Sequence, residues 1–153
     1  MRKPESTVAA RGGNPGGRAR PGERRRGGDR DTFIGMDADH PRIVRERMPL
    51  AEVSELAQRR FGVMVKAAVD VGRRIMAIGG ELHADEEALL LGDGSVQGDI
   101  WGINLYPGET GEEWIEFDSM INIRPSQGNR SRTVEDQELR ARIRFVVDAL
   151  IDR

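Results

Sequence analysis

The chain has 153 residues, enough for one ordinary domain and too few for two. It contains no cysteine, which excludes disulfides and thiolate metal sites, and no apolar run near the roughly 18 residues a membrane span needs. Hydrophobic residues make up 37%, and the net charge of −2 hides two opposite segments: residues 1–31 carry +5 and residues 32–153 carry −7.

The basic N-terminus has no apolar stretch behind it, so it does not read as a secretory signal, and a cytoplasmic protein without membrane partners is expected. Residues 11–30 are dominated by Gly, Pro and Arg, with Ala19 the only apolar residue. Nothing there offsets the entropy of ordering a backbone, so residues 1–40 are expected to be a disordered basic tail and 41–153 a single domain. The tail reads as an inert extension, as the product of a start assigned upstream of Met36, or as an Arg/Gly-rich arm touching nucleic acid.

Within the domain, 42–48 suggest a short lead strand. Pro49 then opens a helix whose Leu50, Val53, Leu56, Ala57 and Phe61 share one stripe, with Gly62 as the stop. From 63 to 71 the period changes to two, with Val63, Val65, Ala67, Val69 and Val71 on one side. Residues 72–74 form a tight connection to a return strand over 75–83. Residues 84–95 permit a short helix capped by Asp85, closed by a turn at Asp93-Gly94-Ser95. Residues 100–106 and 114–124 alternate as two further strands, and 124–132 is a polar loop. Leu139, Ile143, Val146, Val147 and Leu150 then mark an amphipathic helix capped by Thr133 or Asp136. The expected architecture is α+β: a four-stranded, mainly antiparallel sheet, two amphipathic helices packed on one face, and a short helix between the hairpins. Trp101, Phe117 and Phe145 are expected in the core, Trp114 partly exposed, and Met48, Met64, Met76 and Met120 as gap fillers.

The remaining strand faces carry Lys66, Asp70, Glu81, His83, Asn104, Tyr106, Glu116, Asp118, Asn122 and Arg124. A solvated face of an antiparallel sheet explains a polar set, but this one combines acid, base, amide and cation in one plausible cleft. Glu81, His83 and Arg124 are the candidate catalytic groups of a hydrolase or nuclease, with His83 as general acid or base. Asp85, Glu86, Glu116 and Asp118 are candidate ligands for a divalent cation, although no EF-hand, zinc or paired-His spacing is present. The loop 124–132 offers Arg124, Ser126, Asn129, Arg130 and Arg132, with Asn122 beside it, as donors to a phosphate or carboxylate just before a helix. The competing reading pairs Arg130 and Arg132 with the domain's many carboxylates and gives Ser, Asn and Gly to turns and a cap.

The stretches 64–71, 75–95, 101–107 and 114–136 resemble an uncharacterised family of bacterial and archaeal proteins about 110 residues long, known as a domain of unknown function. The likeness runs from about residue 45 to the end, and it implies no activity. The first functional expectation is therefore a small domain binding an anionic ligand, a nucleotide or RNA phosphate, on the polar face and the Arg-rich loop. The net charge of −7 favours a small ligand over a long polymer. A hydrolase using His83, and a calcium-responsive or protein-interaction domain using the acidic 81–93 segment, are the alternatives.

Overall fold

A computed structural model describes residues 40–153. The tail and start-site expectations lie outside them. Seven strands and three helices follow in the order β1 (Arg42–Val44), β2 (Met48–Pro49), α1 (Leu50–Arg60), β3 (Val65–Asp70), β4 (Ile75–Ile78), α2 (His83–Gly92), β5 (Ile100–Leu105), β6 (Ile115–Glu116), α3 (Gln137–Leu150) and β7 (Ile151–Asp152).

Five strands rather than four form the main sheet, in the order β1-β4-β3-β5-β6, and every pair is antiparallel. The short lead strand supplies the fifth by pairing with β4. The chain's end forms a small parallel pair, β2 with β7. That pairing joins residues about a hundred positions apart and leaves no local signal.

Period-two alternation decides the two faces. Val65, Ala67 and Val69 join Met76, Ile78, Trp101, Ile103 and Leu105 under Val53 and Ala57 of α1 and Ile143, Val146, Val147 and Leu150 of α3. Both helices therefore cover this inner face, as their stripes predict. α1 carries Glu52 in its first turn and Arg59 and Arg60 in its last, matching its dipole. α3 is capped by Asp136, whose side chain accepts from the Glu138 amide, while the Thr133 hydroxyl accepts from Arg140 instead.

The outer face is not simply solvated. Ala68, Ile75, Ala77, Ile100 and Leu90 form a second cluster beneath α2, with Ile43, Leu89 and Ile121 at its rim. The strand expected over 114–124 ends at Glu116. Its parity holds from Ile115 through Ile121 and then breaks, with Asn122 and Arg124 buried and Ile123 exposed. The chain turns there over β5, and Gly102 is what lets it approach: a Cβ at Gly102 would sit 2.5 Å from the Ser119 Cβ. Three aromatic and methionine expectations change accordingly. Trp114 is buried, whereas Phe145 is 57% exposed, on the solvent side of α3 beneath the Arg74 guanidinium, and Met120 is exposed rather than a gap filler.

Candidate functional site

On the outer face a row crosses three strands. Lys66 opposes Asn104, and Asn104 opposes Glu116. Lys66 is half-buried and Glu116 exposed, and Asn104 lies between them with 4% of its surface accessible. Asn104 Nδ2 donates to Glu116 Oε1 at 2.9 Å and to the Asp118 carbonyl at 3.3 Å. Tyr106, two residues further along the chain, donates its hydroxyl to the same Glu116 oxygen at 3.1 Å. Burial, and then this contact with Glu116, raise the Tyr106 pKa. Arg132 forks onto Asp118, Nε to Oδ1 at 3.1 Å and an Nη to Oδ2 at 3.0 Å.

The N-terminal turn of α2 adds His83 and Glu86. The His83 Nε2 lies 2.7 Å from the Ile103 carbonyl. A carbonyl only accepts, so Nε2 carries the proton and Nδ1 is left as an acceptor. Burial lowers the imidazole pKa to about 4, the Ile103 contact opposes that, and Lys66 lowers it further. Glu86 Oε2 accepts from the Gly80 amide at 2.8 Å. A Cβ at Gly80 would meet the Glu86 Cγ at 3.1 Å, so a bare glycine makes room for the carboxyl. Burial raises the Glu86 pKa to about 8, so it holds its proton at neutral pH. Lys66 acts electrostatically on both groups. Among the described residues four buried side-chain atoms lack a hydrogen-bond partner, and two of them, Asn104 Oδ1 and Glu86 Oε1, belong here.

Other predicted site residues go elsewhere. β4 stops at Ile78, so Glu81 lies exposed in the connection to α2 and does not share a strand with His83, which starts the helix. Arg124 is buried: its guanidinium stacks 4.6 Å from the Trp101 ring centroid, donates to the Ile121 and Gln97 carbonyls, and pairs with Glu87 at 3.3 Å. Its donors are thus engaged inside the fold. Asn122 replaces a strand partner for Gly102, donating to its carbonyl and accepting from its amide, and also donates to the Arg132 carbonyl. Asn129 ties the loop to itself, donating to the Asn122, Ser131 and Thr133 carbonyls and accepting from the Glu135 amide. Ser126 and Arg130 are exposed, and Arg132 has taken Asp118, as the ion-pair reading of the loop anticipated for it.

The proposed metal ligands do not converge. Asp85 is exposed, one residue from the fully buried, proton-bearing Glu86, and Asp118 is held by Arg132. Among the described residues no group of three His, Asp or Glu side chains is placed to hold a metal ion. Asp85 does not cap α2 either, because the helix begins at His83 with Leu82 as its cap. No helix is long and apolar enough to cross a membrane.

A cleft of about 550 Å³ lies elsewhere, between the turn at Gly98-Asp99, the loop at Gln127–Asn129 and the start of α3. Of the predicted ligand-binding residues only Asn129 lines it, and its amide is engaged internally. The sequence flagged Lys66, Asn104, Tyr106, Glu116 and Asp118 by alternation alone. It missed the burial of Glu86, which depends on Gly80 leaving space six residues away.

No curated protein and no solved structure matches the chain. A family model does: residues 42–150 match the one described as a protein of unknown function, DUF5674, and the chain belongs to that family.

Proposed function

We propose that the domain is a small-ligand-binding module and that its ligand sits on the row formed by Lys66, Asn104 and Glu116. One observation carries this reading. Buried polar atoms are nearly always hydrogen-bonded, and Asn104 Oδ1, in a row flanked by half-buried Lys66 and exposed Glu116, has no partner. An unmet buried acceptor costs roughly 1–3 kcal/mol, which a donor brought by a ligand would recover. The anion cradle expected in the 124–132 loop contributes little, since Arg124, Asn122 and Asn129 are engaged within the fold. Hydrolysis at His83 ranks lower. Its imidazole is neutral with one nitrogen tied to a carbonyl, and a base of pKa about 4 is far from the range suited to proton transfer near neutrality.

The test is a thermal-shift screen of the full chain against small polar metabolites, followed by amide and side-chain NMR mapping of each hit. A ligand at 100 times its Kd stabilises the fold by about 2.7 kcal/mol. Perturbations centred on Lys66, Asn104, Tyr106 and Glu116 are expected. Hits that map to the cleft at the start of α3, or no hits, would overturn the assignment.

A further inference from the structure

The direction of each hydrogen bond in this row identifies what is missing from it. The following inference rests on the binding reading above and specifies its ligand. We infer that the site takes the hydrogen-bond-donating end of a small organic cation, an ammonium or guanidinium group.

Apart from the Lys66 ammonium, the site's own donors are already directed at acceptors. Both contacts of Asn104 Nδ2 go to Glu116 and Asp118, the Tyr106 hydroxyl goes to Glu116, His83 Nε2 goes to Ile103, and the Arg132 fork closes on Asp118. What remains are acceptors: Asn104 Oδ1, the second Glu116 oxygen and His83 Nδ1. The two forks of an amide point apart. With Nδ2 turned toward Glu116 and Asp118, Asn104 Oδ1 has no partner, and the cross-strand neighbour of Asn104 on the other side is Lys66. The Lys66 ammonium does not close the gap, because it lies over the Phe61 ring, 5.2 Å from the centroid.

An anion would be met by the Lys66 ammonium alone and would leave Asn104 Oδ1 unmet. A group with several N–H bonds satisfies it, and the exposed Glu116 carboxylate supplies the opposite charge. Asn104 and Glu116 would contact the ligand directly. Tyr106 positions Glu116 by occupying Oε1 and leaving the other oxygen for the ligand.

The experiment titrates the full chain with agmatine and methylammonium, and in parallel with acetate and inorganic phosphate, at constant ionic strength. The readout is the side-chain amide signal of Asn104 with the backbone signals of 104–106 and 116. The cations should shift these signals saturably and the anions should not. Glu116→Gln, a change at an exposed position, should weaken agmatine at least 10-fold, and Ser126→Ala should leave it unchanged. If the anions shift these signals and the cations do not, the ligand class is wrong while the binding site stands. If neither shifts them and the metabolite screen is also blank, the binding reading fails with it. A third comparison uses Lys66→Met. Cation binding seen only in that variant would overturn the inference, since it would mean that the chain's own ammonium fills the place.

Discussion

Replacing Glu86 by Gln should flatten the alkaline side of the protein's stability profile. Glu86 is fully buried, and burial raises its pKa from 4.5 to about 8 against the pull of the Gly80 amide and of Lys66, with Asp85 adding to the rise. An acid whose folded pKa is raised keeps its proton in the fold after the unfolded chain has lost it. Stability is then complete below pH 4.5, falls as pH climbs, and levels off above about 8. At about 1.4 kcal/mol per pH unit, the whole interval amounts to about 5 kcal/mol. His83 acts in the opposite sense. Its pKa is lowered from 6.5 to about 4, so it contributes stability that is present above 6.5 and lost as pH falls toward 4. The two slopes oppose each other between 4.5 and 6.5, and above 6.5 Glu86 acts without that offset. Wild type should therefore lose about 2 kcal/mol between pH 6.5 and 8 from this group. The glutamine variant should lose none of it, apart from a constant cost of roughly 1–3 kcal/mol for a new amide hydrogen without a partner. Urea unfolding at half-unit steps from pH 5 to 8.5 measures both curves. Parallel curves above pH 6.5 would refute the buried-acid account.

Four further substitutions probe the frame around the site. Gly102→Ala forces a Cβ into Ser119 and should cost about 1–3 kcal/mol, read as a lower urea midpoint with an unchanged slope. Asn129→Ala removes three donated bonds and one accepted bond inside the loop and should cost about 3 kcal/mol, with faster amide exchange over 119–135. Arg124→Met leaves Glu87 without its cation in a largely buried position and should also cost about 3 kcal/mol, measured by the same melt. Phe145→Ala, on the exposed side of α3, should move stability by less than about 0.5 kcal/mol.

The elements that could be read from the sequence are those whose signal is local. The 65–71 alternation, the hairpin into β4, the short helix after it and the stripe of α3 each depend on neighbours within a few residues. The path after Glu116 was not readable that way. Ile115, Phe117, Ser119, Ile121 and Ile123 alternate like a strand, yet Ile121 reaches the outer cluster and Ile123 faces solvent. The reason is tertiary: Gly102 leaves a hollow on β5, and Asn122 fills the backbone bonds that a continuing strand would have made. The β2–β7 pair was missed for the same reason, since neither two-residue strand has a pattern of its own.

The candidate site follows the same division. Alternation placed Lys66, Asn104, Tyr106 and Glu116 on one face, and register brought them together. Composition misled in the Arg-rich loop, because a guanidinium is defined functionally by what it is already bonded to. In a domain with surplus carboxylates most arginines near an acid acquire one: Arg124 has Glu87, Arg132 has Asp118, and Arg45 and Arg73 share Asp93. Counting cations in a sequence therefore overstates the capacity for anions, and hydrogen-bond direction is the better guide. By that guide Asn104 Oδ1 is the atom left without a donor, which is why the proposed ligand is one that brings N–H groups of its own.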